Sequence, residues 1–162
     1  MVSSAEALSK GTPRIQSGQY LTFTDNVNGT GLQSRYHVYA DNIDWTQNVG
    51  VVYYLDGDYF STTASTFHKP NGVTLKNMAQ DANNKNLVLI VPETPSGKTA
   101  ANGWTWWENG NTNAQWFDAF AKAMKNKAGF NPSDTWTVGY SGGAEFLTMN
   151  VFNQNRSVIR SH

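Results

Sequence analysis

The sequence predicts an α/β fold, a mostly parallel sheet with helices on both faces, and two observations carry that expectation. Continuous apolar runs, "VGVVYYL" before "DGD" and "NLVLIVPE" ending at Pro92, read as strands buried on both faces rather than half-exposed ones. Segments with apolar residues at helical spacing alternate with these runs, the arrangement that links parallel strands through crossovers.

Each element follows from its residues. Gly18 to Thr24 and Gln33 to Ala40 are rich in Tyr, Val, Thr and Phe with rough alternation, and "NVNGTG" between them supplies turn chemistry, so an antiparallel pair is expected. "DNVNG" superficially resembles a calcium loop, but Val27 stands where an oxygen ligand is needed and no bidentate Glu follows, so it reads as a turn. After the strand Val49 to Leu55, a helix starts near Pro70 and Asn71, with Val73, Leu75, Met78, Ala79 and Ala82 on its apolar side. "NAQWFDAFAKAMKNKAGF" places Trp116, Phe120, Ala123 and Met124 on one face and ends at Gly129. "DTWTVGY" is the next short strand.

The whole chain has 162 residues, enough for one domain, taken here as residues 18–162 behind an N-terminal extension of residues 1–17. Lys plus Arg and Asp plus Glu both total 12, so no long-range field gathers polyanions, and nucleic acid is not an expected partner. No apolar run approaches the roughly 20 residues that span a bilayer. Cysteine is absent, which removes disulfides and thiolate chemistry without indicating a compartment. Aromatic residues at 13% against charged residues at 15% lean toward a secreted, carbohydrate-facing protein, although no signal segment precedes the domain.

The stretch "DTWTVGYSGGAEFL" carries the chemistry. Gly139, Ser141 and Gly143 form G-x-S-x-G after a predicted strand and before a helical run, where a strained turn projects the serine hydroxyl from the C-terminal edge of the sheet. The plain alternative is a glycine turn with an incidental serine. "YYLDGDYF" favours the catalytic reading, because the loop after that strand is placed to supply a second oxyanion amide, from Asp58, beside the amide of Gly142.

In this order, "YYLDGDYF", "WTWWENGNTNAQWFDAFA" and "VGYSGGAEFL" resemble the α/β-hydrolase superfamily. Within it they are most similar to the esterase families that include feruloyl and acetylxylan esterases, polyhydroxybutyrate depolymerases and mycolyltransferases. The resemblance covers roughly residues 33 to 155. It implies Ser141 as nucleophile, an oxyanion hole from Gly142 and Asp58, and a small-molecule or polysaccharide ester as substrate, with no cofactor or metal. Trp104, Trp106 and Trp107, in a long polar loop, are candidate substrate-binding rings, and Trp116 is expected in the core. Glu108 and Asp118 read as solvated.

A serine needs a base, and the base needs an acid. In the superfamily both follow the serine. Here only Glu145 and the terminal His162 do so. His37 falls in a predicted strand and His68 before a predicted helix, so neither is assigned as base. The chain therefore reads as the N-terminal part of a longer hydrolase, cut after the elbow helix, with "RSVIRSH" either opening the next strand or forming an unrelated tail. On that reading the strand Thr135 to Tyr140 offers an edge for self-association. The alternatives are a non-catalytic carbohydrate-binding module built on the tryptophan loop and a half that needs a partner chain.

Overall fold

The structure, a computed structural model, describes residues 9–27, 29–152 and 160–161. In chain order it contains β1 (Gly18–Thr24), β2 (Gln33–Tyr39), β3 (Gly50–Leu55), α1 (Val73–Asn84), β4 (Leu87–Pro92), α2 (Gly110–Ala128) and β5 (Thr135–Gly139). These are followed by α3 (Gly142–Phe146), which runs on as the π-helical turn Leu147–Val151, and by β6 (Arg160–Ser161). They form one α/β sheet in the order β1-β2-β4-β3-β5-β6. β2 is antiparallel to β1 and β4, and every other pair is parallel.

The order places the site. From β3 the chain crosses through α1 to β4 on one side, and from β4 it returns through α2 to β5 on the other side of β3. Crossovers of one hand that run in opposite directions put their helices on opposite faces. Leu75, Ala79 and Ala82 of α1 accordingly pack on Val52, Tyr54, Leu89 and Val91. Trp116, Phe117, Phe120 and Met124 of α2 pack on the other face, against Tyr53, Leu55, Val88 and Ile90. With both faces covered, all six residues of β3 are buried. The connections diverge at the C-terminal ends of β3 and β5, and the crevice of an open α/β sheet lies at such a point.

Local chemistry sets the helix limits. Val73 is 72% exposed although the spacing assigned it to the apolar side of α1. It lies two residues before Leu75, about 200° around the helix at 3.6 residues per turn, and so points to solvent. α2 stops at Gly129, left-handed at φ 66°, whose N–H donates to the Lys125 carbonyl at 2.7 Å. Arg14 caps the same end by donating from Nε to the Ala128 carbonyl at 2.6 Å, and its guanidinium lies 4.7 Å from the centre of the Trp45 ring. Beside Arg14, Ile15 is in the core, so the second half of the expected N-terminal extension packs on the body.

The turn reading of "DNVNG" fits the bonds of Asp25, whose buried carboxylate accepts from the Val27 amide at 3.0 Å and the Thr30 hydroxyl at 2.7 Å. No group of metal-ligating side chains and no helix long and apolar enough to cross a membrane occurs among the described residues. Arg160 and Ser161 pair in parallel with Trp136 and Thr137, so a strand does open within "RSVIRSH" and part of the β5 edge expected to be bare is occupied.

His37 joins β1 and β2 to the segment before α1. It is fully buried. The Tyr20 amide donates to its Nδ1 at 3.0 Å, so Nε2 carries the proton and donates to the Phe67 carbonyl at 2.7 Å. The ring stacks on Phe67 at 4.2 Å. The Tyr20 amide reaches it because β1 bulges between Gly18 and Leu21, with Tyr20 at φ 53°. Burial pushes the His37 pKa below its ordinary 6.5; the Phe67 carbonyl and Glu93 oppose the shift, and Arg35 and His68 add to it.

A histidine whose folded pKa is depressed leaves the unfolded chain binding more protons as the pH drops through the unfolded value. The His37 contribution is therefore whole above about pH 6.5 and declines as the pH falls below it. The thermal midpoint should fall on acidification from pH 7.5 to 5. His37→Phe should flatten part of that slope while costing about 2 kcal/mol at pH 7.5 for the two stranded backbone groups, roughly 4–8 °C in midpoint. A variant with an unchanged acid slope would show that His37 is not the titrating group.

Candidate active site

Ser141 is the second of the two residues between β5 and α3, directly before the helix, exposed, with φ 50° and ψ −114°. A non-glycine residue there is strained and persists only where its surroundings over-determine it. They do so through three backbone bonds. The Tyr140 amide continues the ladder to the Leu55 carbonyl at 3.1 Å, the Gly143 amide closes the turn on the Tyr140 carbonyl at 2.9 Å, and the Glu145 amide donates to the Ser141 carbonyl at 3.0 Å.

Two glycines let α3 lie backbone to backbone on the strands. A methyl group on Gly139 would stand 2.5 Å from the Ala144 amide nitrogen, and one on Gly143 would collide with the Leu55 carbonyl and stand 2.6 Å from that of Asp56. The turn therefore needs both for close approach.

The loop Asp56 to Asp58 follows β3 and faces Ser141, close enough that a Cβ on Gly57 would lie 3.5 Å from the Ser141 Cβ. Asp56 holds it in place. Its buried carboxylate accepts from the Gly57 amide at 3.0 Å through Oδ1, and from the Ser65 hydroxyl at 2.8 Å and the Phe67 amide at 3.0 Å through Oδ2. No sequence argument assigned Asp56 this role; the only signal was an acidic residue directly after a buried strand. The amides of Gly142 and Asp58 donate to no protein acceptor among the described residues, which leaves both N–H groups available beside Ser141.

The tryptophans divide by burial. Trp106 is 2% exposed and lies among Trp116, Phe117 and Phe146, with ring centres 5.1–6.3 Å away. The expectation that it binds substrate is thereby corrected: its ring has no open face and serves the core, as Trp116 does. Trp104 and Trp107 are half-buried. Trp104 stacks on Tyr59 at 5.2 Å and exchanges two backbone bonds with it, fastening the long loop to the residue after Asp58. Trp107 donates from Nε1 to the Asp58 carboxylate at 2.8 Å.

Glu108, expected to be solvated, instead accepts from the hydroxyls of Thr99 and Thr105 at 3.1 Å each, because the loop folds back on itself. Asn113 ties the same knot, donating to the Trp106 and Glu108 carbonyls. Asp118 is half-buried and pairs with Lys122 at 3.0 Å.

Neither described histidine stands as a base. His37 is committed to Tyr20 and Phe67. His68 points Nδ1 at the Ser65 hydroxyl, 3.0 Å away, and Nε2 at Glu93, 3.4 Å away. Glu93 in turn takes both prongs of Arg35, at 2.9 and 2.7 Å. Burial lowers the His68 pKa, with Glu93 opposing and Arg35 adding to the shift. These residues border a cavity of about 340 Å³ that also includes Trp104 but not Ser141. Glu145 is exposed on α3, and His162 lies outside the described residues.

Neither a protein-family model nor a curated protein matches the sequence. Among solved structures, XC6422 from Xanthomonas campestris, described as an a/b serine hydrolase without a lid, is similar at 15% identity over 82% of this chain and 56% of its own, with a TM-score of 0.49. Native pOPH is similar at 16% identity over 82% of this chain and 45% of its own, with a TM-score of 0.53. At these identities the likeness concerns the fold. The chain spans about half the length of either structure.

Asp56→Asn should test the brace. The amide puts a donor where Oδ2 accepts two bonds or removes the acceptor of Gly57, and leaving one buried partner unsatisfied costs about 1–3 kcal/mol. Hydrogen exchange should accelerate in the peptide covering residues 56–67 more than in β4 or α2. Uniform acceleration across the domain would mean that Asp56 contributes only to global stability.

Proposed function

We propose that this chain is the nucleophile-bearing part of a serine ester hydrolase. The observation that supports it best is the strained backbone of Ser141, held at the switch point of the sheet with the unbonded amides of Gly142 and Asp58 beside it. Strain of this kind at an exposed serine costs stability and has no packing benefit, and it is found where a side chain must be presented.

On this reading the Ser141 hydroxyl attacks an ester carbonyl, its proton passing to a base. The carbonyl oxygen becomes an oxyanion held by the two amides. Collapse expels the alcohol and leaves an acyl group on Ser141, and water then attacks the acyl carbon to release the acid. The base and its acid partner come from outside the described residues, since His37 and His68 are committed elsewhere. The half-buried rings of Trp104 and Trp107 flank the oxyanion loop and suit a carbohydrate-linked or polymeric ester.

The test is labelling by a neutral fluorophosphonate, read by intact mass and peptide mapping, with p-nitrophenyl acetate turnover alongside. Labelling should be slow, map to Ser141 and vanish in Ser141→Ala. Turnover should be weak, in keeping with the residual acceleration of about 10³–10⁴ over water that sites lacking a full triad retain. Labelling that persists in Ser141→Ala would remove Ser141 as nucleophile. Fast turnover lost in that variant would place the base within this chain.

A further inference from the structure

The space beside Ser141 contains a charge that the proposed reaction does not use. Asp58 contributes its amide, yet its side chain turns back over the elbow. The carboxylate lies against the Cα of Gly142, where a methyl group would collide with Oδ1 and stand 2.8 Å from Cγ. That contact gives the first glycine of "SGG" a reason, since any side chain at 142 would displace the carboxylate. The Trp107 Nε1–H holds the other oxygen, Oδ2, at 2.8 Å.

Among the described residues, no cation pairs with the group. The ion pairs among the described residues are Arg35 with Glu93, His68 with Glu93, and Lys122 with Asp118. An indole N–H orients a carboxylate without cancelling its charge. A carboxylate with no paired cation among the described residues therefore stands beside the nucleophile, against the Cα of Gly142.

We infer that the Asp58 carboxylate, oriented by Trp107, is a charge filter for the substrate: it disfavours esters with an anionic group near the scissile carbonyl and favours neutral or cationic ones. The inference rests on the hydrolase reading of Ser141. Asp58 is exposed, so water screens it. For a substrate charge about 6 Å away at an effective dielectric between about 40 and 80, the effect is roughly three- to tenfold for each sign of charge. It must shrink as salt shortens the screening length from about 30 Å at 0.01 M to about 3 Å at 1 M. Trp107 is a positioning residue: without its N–H the carboxylate is free to swing toward the oxyanion amides.

The experiment uses the full chain and three fluorophosphonates matched in length, ending in a trimethylammonium, a methyl ester or a carboxylate. Labelling at Ser141 is read by intact mass at 0.01 M and 1 M salt. Each charged probe is compared with the neutral one inside each variant, so changes in overall rate cancel. The native chain should label in the order cationic, neutral, anionic, with both ratios collapsing toward one at 1 M salt. Asp58→Asn should abolish the ordering at low salt. Trp107→Phe should keep the ordering but slow all three probes. An order that survives Asp58→Asn, or does not respond to salt, overturns the filter.

If no probe labels Ser141, the hydrolase reading fails and the filter with it. The latch is then judged from the Trp107 indole proton in a ¹H–¹⁵N spectrum. That proton should resonate at a different position in Asp58→Asn than in the native chain, and an unchanged position overturns the latch.

Discussion

The site depends on a contact between main chains. The start of α3 rests on the carbonyls at the end of β3, and a methyl group on Gly143 would meet both the Leu55 and Asp56 oxygens. Because no side chain intervenes, the turn carrying Ser141 and the loop carrying Asp58 are held at backbone distance. Two amides and a hydroxyl from segments about eighty residues apart in sequence then converge. Amides proposed to hold an oxyanion must be placed before the reaction begins, and rigid backbone contact places them.

A polar chain extends that rigidity to the far edge of the sheet. The Tyr20 amide of β1 donates to His37 of β2, and His37 donates to the Phe67 carbonyl. The Phe67 amide donates to Asp56, and Asp56 accepts from Gly57. Each link is a backbone group satisfied by a buried side chain, and burial makes an unpaired member costly. The segment Ser65 to Phe67 is therefore more than a connection to α1: it links the antiparallel edge of the sheet to the loop Asp56 to Asp58. The long tryptophan loop does the same from the other side, through the paired backbones of Tyr59 and Trp104 and the Trp107 bond to Asp58.

Much of this was legible in the residues. Continuous apolar runs marked β3 and β4, since a strand covered on both faces tolerates no polar side chain. Helical spacing marked α1 and α2, because their buried stripes repeat with the turn of the helix. The glycines around Ser141 and the "LDGD" turn marked the candidate site, because close approach of backbones excludes larger residues. These are local constraints, each imposed within a few residues of the chain, and so they appear in the sequence.

What only the tertiary structure decided are the relations between distant segments. Spacing could not tell that Trp106 faces the core while Trp104 and Trp107 remain half-open, because a loop has no period to read. It could not show Asp56 as a brace, Glu108 as a knot or Asp58 turned over Gly142, because a carboxylate reads the same in sequence whether water or three buried donors satisfy it. The sequence by itself determined the kinds of element and the type of turn at Ser141. The fold decided which polar groups meet, since the partners come from different strands and loops and only the packed sheet brings them within hydrogen-bond distance.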